Sequence, residues 1–247
     1  MKKNVSEPTQ TQPTKQEPEL EIVAAEVKAP EFDVDIAQDI VFKPNPGPQT
    51  NFLSASEREV LYGGAAGGGK SFAMLADPLH GLNDPNFSGL LVRHTTEELR
   101  ELIQKSQELY PKAVPGIKWS ERKSQWIAPR GGRLWMSYLD KDMDVTRYQG
   151  QAFNWIGFDE LTQWPTSYAW DYMRSRLRSA FSSQLGLYMR ATTNPGGNGH
   201  QWVKKMFIDP SPAGQPFWAT NIETGDTIKF PKGHSREGQP LFKRRFI

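Results

Sequence analysis

The sequence predicts an α/β fold in which a mainly parallel sheet is flanked by helices. Short apolar runs alternate along the chain with stretches of helical period, which is the pattern of strands joined by crossover helices. Two of those runs lead straight into glycine-rich turns. The 247 residues, 37% hydrophobic and 11% aromatic, suffice for one substantial core. Sheets of this kind take their ligands at the carboxyl edge of the strands.

In chain order, residues 1–48 are dominated by Pro, Glu, Gln, Thr and Lys, too few of them apolar to offset the entropy of ordering. They are expected to form a disordered arm. Phe32, Val34 and Ile36 leave room in it for a docking strand or short helix, and Pro44, Pro46 and Pro48 end it as a hinge. The compact region is expected to start at Gln49. Residues 59–63 read as a buried strand, and residues 61–71 (LYGGAAGGGKS) follow the spacing G-x-x-x-x-G-K-S from Gly64. Glycines accept positive φ, so successive N–H groups at Gly64, Ala65, Ala66, Gly67, Gly68 and Gly69 can turn inward around a polyphosphate. Lys70 would reach the β- and γ-phosphates and the Ser71 hydroxyl would ligate Mg²⁺, at the start of a helix running to about residue 79. A flexible linker would explain the glycines but not the Lys-Ser ending or the strand and helix patterns on either side.

Residues 89–94 read as a second strand. Thr95 and Glu98 then match a capping box opening a helix to about Tyr110, with Leu99, Leu102, Ile103 and Leu109 as its apolar stripe. Residues 119–139, broken at 129–132, predict a β-hairpin. Residues 153–158 form another apolar run ending in Asp159-Glu160. An Asp at such a strand end is where a second Mg²⁺ contact is expected, and the adjacent Glu160 would orient or deprotonate a water, pointing away from Asp159 by strand alternation. This acidic pair disfavours a small GTPase or a kinase. A helix is expected over 167–178, a fifth strand over 186–191, and an amphipathic helix from Gly199.

Charge and composition narrow the function classes. Residues 1–43 carry a formal −4, leaving +6 on the remainder, a moderately basic body that permits nucleic-acid contact. Without cysteine there is neither a disulfide frame nor a Cys-based zinc site. His80, His94, His200 and His234 lack metal-ligand spacing, and no G-x-S-x-G elbow occurs. Nothing in the sequence reads as a signal peptide or an apolar run long enough to span a bilayer, so an intracellular location is expected.

The phosphate loop, IGFDELTQW (156–164), MRSRLRS (173–179) and ATTNPGGNGHQWVKKMFI (191–208) together resemble the ATPase domain of bacteriophage large terminase subunits, over residues 49–247. The resemblance implies a P-loop NTPase of the additional-strand, catalytic-glutamate type, hydrolysing ATP with Mg²⁺ to drive double-stranded DNA into a procapsid. It implies a portal and a small terminase subunit as partners, a homo-oligomeric ring, and action at the procapsid portal vertex in the host cytoplasm. It places an adenine-reading glutamine at Gln49, and a γ-phosphate-sensing coupling motif at Thr192, Thr193 and Asn194. The arginine finger such motors need falls first on Arg147, with Arg93 and the set Arg174, Arg176 and Arg178 as rivals. Lys204, Lys205 and the cluster 243–245 read either as contacts to DNA or a neighbour, or as ordinary charged surface.

The sequence departs from the family in leaving no room for the nuclease domain. Residues 211–247 are expected to hold only a partial lid that starts with a hairpin of 216–219 against 227–230, so hydrolysis without DNA cleavage is expected. The rival readings are a helicase-like nucleic-acid ATPase, an inactive nucleotide-binding assembly protein and, less in keeping with the sequence, a small-molecule kinase.

Overall fold

A computed structural model describes residues 40–65, 67–179 and 186–247. The expectations for residues 1–39, including the short element around Phe32, and for Ala66 lie outside the described residues. One nine-stranded sheet organises the molecule, in the order β3-β4-β5-β2-β6-β7-β1-β9-β8. The strands are β1 (Glu59–Tyr62), β2 (Ser88–Arg93), β3 (Lys118–Ser120), β4 (Gln125–Ile127), β5 (Arg133–Tyr138), β6 (Trp155–Phe158), β7 (Tyr188–Thr192), β8 (Phe217–Trp218) and β9 (Lys243–Phe246). From β5 to β9 all neighbours are parallel, and antiparallel strands finish both edges. This is the mainly parallel α/β sheet that the sequence predicts, with β7 as the additional strand between β1 and β6.

The central strands read as continuous apolar runs because both faces are covered. β1 and β6 are buried at every position. On one face lie α1 (Pro48–Leu53), α2 (Lys70–Ala76), α3 (Leu79–Leu82) and α4 (Thr96–Ala113), whose Phe52, Met74, Leu102 and Tyr110 pack with Val60, Leu91 and Met136. On the other lie α5 (Tyr168–Arg174) and α6 (His200–Val203), the latter continuing as a wider π-helical turn over Lys204–Ile208. There Trp164, Trp170, Met173, Met206 and Phe207 cover Leu61, Ile156, Phe158 and Met189.

Local signals explain several element boundaries. Thr95 Oγ1 accepts from Glu98 N (3.3 Å) and Glu98 Oε2 accepts from Thr95 N (3.2 Å), the capping box read from the sequence. Pro48 is not a breaker but the first residue of α1, where its missing N–H costs nothing. The expected hairpin over 119–139 is a three-stranded meander, with a second turn at Glu121–Lys123 supplying the extra strand. α5 stops at Arg174, so Arg174 and Arg178 do not share a helix face.

Residues 211–247 contribute strands to this same sheet. β9 lies parallel to β1 and β8 antiparallel to β9, while a narrow turn pairs Thr220 with Thr227. Phe217 and Trp218 therefore pair with β9, not with residues 227–230. Arg244, within the expected surface cluster, is 1% exposed. Its Nε donates to Glu59 Oε2 at 2.7 Å, Arg174 binds the other Glu59 oxygen, and Trp170 Nε1 donates to Oε2 at 3.3 Å. Burial alone would push the Glu59 carboxyl up, but Arg174 and Arg244 overcome it and hold it at about 2.

A depressed carboxyl pKa contributes stability that is full above the unfolded value of about 4.3 and is lost as pH falls toward about 2. The shift corresponds to roughly 3 kcal/mol. Urea midpoints followed from pH 5 to 2 should fall accordingly in the wild type. Glu59→Gln should be less stable at pH 7 by about 3–5 kcal/mol, because it strands two buried guanidinium groups, and flatter across the acid range.

Candidate nucleotide site

Register brings the site together. Tyr62 pairs with Thr192 and Phe158 with Ala191, so β1, β7 and β6 end side by side and release Gly63, Thr193 and Asp159 at one edge. The loop after β1 uses positive φ at Gly64 (129°), Gly67 (84°) and Gly69 (71°). Protein groups hold its carbonyls: Lys70 Nζ donates to Gly64 O (3.0 Å) and Ala65 O (2.7 Å), Tyr62 Oη to Gly68 O (2.7 Å), and Gln49 Nε2 to Gly69 O (2.9 Å). Gly63 N donates to Ile247 O at 2.9 Å, fastening the start of the loop to the end of β9.

A cavity of about 370 Å³ opens over this loop, lined by Gly67, Gly68, Gly69, Lys70, Ser71, Phe72, Lys105, Glu160 and Asn194. The loop, Lys70, Ser71, Glu160 and Asn194, all singled out in the sequence, thus share one space. Glu160 lies beyond β6 in a left-handed backbone (φ 63°, ψ 56°). This turn, and not strand alternation, separates its side chain from Asp159. A non-glycine residue held there costs about 1–3 kcal/mol and persists only where its surroundings enforce it. Here Glu160 N donates to Thr192 Oγ1 (3.1 Å), Asn194 Nδ2 to Glu160 Oε1 (2.7 Å) and Asn194 N to Oε2 (3.0 Å). Burial, then the charge of Asp159, raise the Glu160 carboxyl above its ordinary value.

Asp159 is fully buried and does not line the cavity. Its Oδ1 accepts from Thr192 Oγ1, and its Oδ2 is 3.2 Å from Arg93 Nε, close enough for an ion pair but out of hydrogen-bond alignment. Burial pushes this carboxyl up, and Arg93 and Thr192 offset part of the rise. Oxygen-bearing side chains suited to Mg²⁺, Ser71 and Glu160, line the cavity, while Asp159, next to Glu160 in the chain, is buried outside it.

Other expected residues sit elsewhere. Gln49 reaches the loop, but its amide is engaged by protein, Nε2 by Gly69 O and Oε1 by Asn45 N (2.6 Å), so an adenine would have to displace both. Thr193 is buried and does not line the cavity, its hydroxyl donating to Thr162 Oγ1 at 2.8 Å. Arg147 is outside the cavity, its side chain 41% exposed, paired with Asp144 and lying over the Tyr138 ring. Arg174 is committed to Glu59 and Asp171, and Arg176 lies over Tyr172. Lys105 was not anticipated; only its place on the polar face of the helix after β2 hinted at it. Two of the three glycines of 196–199 have a packing reason: a Cβ at Gly199 would sit 2.0 Å from Trp164 O, and one at Gly197 2.7 Å from Thr162 O.

The model of the family described as large terminase subunit, T4-like virus type, N-terminal part, matches residues 61–226. The chain belongs to this family. Its fold is similar to the large terminase ATPase domain of Thermus phage P74-26, at 15% identity and TM-score 0.52, over 67% of this chain and 70% of that one. An arginine-to-alanine variant of that domain gives 14% and 0.55 over 83% and 82%. The large terminase of another thermophilic bacteriophage gives 16% and 0.54 over 68% of this chain, and this terminase spans only 43% of that protein. No curated protein sequence matches the chain.

Asn194→Ala in this terminase removes one donor from the Glu160 carboxylate and should raise its pKa further. A carboxyl-labelled NMR titration should show the Glu160 midpoint moving to higher pH, and an unmoved or lowered midpoint would contradict the assigned contact.

Proposed function

We propose that this chain is the ATP-hydrolysing motor part of a terminase that drives double-stranded DNA into a procapsid. The observation that carries the proposal is the single cavity shared by the glycine loop, Lys70, Ser71, Glu160 and Asn194. With the loop carbonyls accepting from protein side chains, the N–H groups remain to bind a polyphosphate. Lys70 and Lys105 supply positive charge from two helices, while Glu160 faces the loop from the end of β6 and is the group we assign to orient the attacking water and take its proton. Mg²⁺ held by Ser71, with Asp159 buried next to Glu160 in the chain, would neutralise phosphate charge. Asn194 fixes both oxygens of Glu160, so a change at the phosphate end of the cavity is felt directly by the strand end that carries Thr192 and Thr193.

The remaining roles belong to the assembled motor. Arg147 lies on the surface, and we assign it as the finger offered to a neighbouring subunit in a homo-oligomeric ring. We take residues 49–210 as the ATPase core and 211–247 as its lid segment, although the latter shares the sheet. A portal, a small terminase subunit and the procapsid in the host cell are the partners this reading requires.

Steady-state ATP turnover tests the assignments. Glu160→Gln should lower kcat by roughly 10²–10⁴ while leaving ATP binding intact, as loss of a general base does. The wild-type rate should rise with pH through a midpoint above that of an ordinary carboxylate, since Glu160 acts deprotonated. Turnover unchanged in Glu160→Gln would remove it from the chemistry. Lys105→Ala should raise the KM for ATP about tenfold, the loss of one charge-assisted contact, and an unaltered KM would return Lys105 to the solvent-facing surface.

A further inference from the structure

The antiparallel edge β3-β4-β5 carries charge for which the core has no use. Between residues 118 and 133 stand Lys118, Arg122, Lys123, Arg130 and Arg133 against a single acid, Glu121. That is a net +4 in sixteen residues, where residues 44–247 together hold +6. Lys112, in the last turn of α4, is a sixth cation, carried on the helix side of the sheet. All six are exposed, and among the described residues none of them forms an ion pair. In contrast, the arginines of the central strands, Arg93, Arg190 and Arg244, are each buried against a carboxylate.

The backbone fixes where these charges point. Lys118 pairs with Ile127 and Ile127 with Arg133, so Lys118 and Arg133 stand on one face, two strand spacings or about 10 Å apart. Trp119, Trp126 and Leu134 form the opposite row, where Trp126 and Leu134 belong to the core on the α4 side. Arg130 rides on the 128–132 turn, closed by Ala128 N to Gly132 O (2.9 Å). That turn is pinned against residues 82–85: a Cβ at Gly132 would lie 2.2 Å from Leu82 O. Arg122 and Lys123 project from the turn at the other end. None of the large exposed apolar side chains among the described residues lies between 112 and 133, so the surface lacks the apolar centre of a protein interface.

We propose that this edge binds the phosphate backbone of double-stranded DNA, with Lys118, Arg130 and Arg133 as one contact group and Arg122 and Lys123 as a second. The choice of DNA rests on the packaging function proposed above. Cations presented by a rigid meander, without a recognition helix, suit a machine that must grip any sequence, because phosphate contacts position a duplex without reading it. The two-strand separation of Lys118 and Arg133 is comparable to the ~12 Å major-groove width.

Counterion release gives a direct test. Binding of a 30-bp duplex, measured by anisotropy at several salt concentrations, should give a log–log slope that becomes shallower by about 2.7 in Lys118→Ser/Arg130→Ser/Arg133→Ser, at roughly 0.9 per lost contact. The control Lys229→Ser/Lys232→Ser/Arg236→Ser carries the same charge loss on the 220–240 segment and should keep the wild-type slope. Both triples should retain wild-type thermal unfolding and DNA-free ATP turnover. The proposal is overturned by an unchanged slope in the first triple, by an equal change in the control, or by a shift in oligomeric state without a change in slope. Wild-type protein without ATP turnover would sink the motor reading, yet leave the slope comparison to decide the DNA surface independently.

Discussion

Three parallel strands stopping at one height is the constraint from which the site follows. β1, β7 and β6 are neighbours at a spacing of about 4.8 Å, so the phosphate loop and the Asp159-Glu160 pair face each other across roughly two strands. β7 lies between them and brings Thr192 and Asn194 to the gap. A slip of one residue in either pairing would turn Thr192 to the other face. Its hydroxyl would then lose both Asp159 and the Glu160 backbone.

The strands are kept in that arrangement by charges placed where apolar side chains would otherwise be found. Glu59 joins β1 to β9 and α5, Arg190 joins β7 to Asp77 at the end of α2, and Arg93 joins β2 to Asp159. Buried pairs are weak evidence for net stability, because desolvation offsets most of the attraction. Arg190 shows the completeness required: Nη1 donates to Glu57 O (3.0 Å), Nη2 to Ala55 O (2.6 Å), and the guanidinium lies 4.3 Å from the Tyr188 ring centroid. Arg93 is the exception, with Nη1 buried and without a hydrogen bond, and it is the arginine next to the site.

Features encoded within a few residues were legible beforehand: the loop, the capping box at Thr95 and the acidic pair after β6. Each is a pattern recognisable from neighbouring residues alone, although distant partners such as Asn194 and Arg93 then set the final geometry. Features created by distant pairing were not. Arg244 looked like surface charge because nothing near it in sequence announces Glu59, 185 residues away. Gln49 reaches the loop, but its amide is held by Gly69 and Asn45, contacts that only the folded chain reveals. The left-handed turn at Glu160 was hidden because such a conformation is written in a sequence by glycine, and here a charged residue is forced into it by Thr192 and Asn194.

β9 has a bearing on how the molecule is made. Leu61 and Gly63 receive their partners on one side from Phe246 and Ile247, so a nascent chain emerges from the ribosome with its phosphate-loop strand open along that side until nearly two hundred further residues have been added. On the other side, the same strand waits for β7. The edge of β1 is therefore completed late in synthesis, and a stalled translation product would expose an apolar strand edge of the kind that invites aggregation.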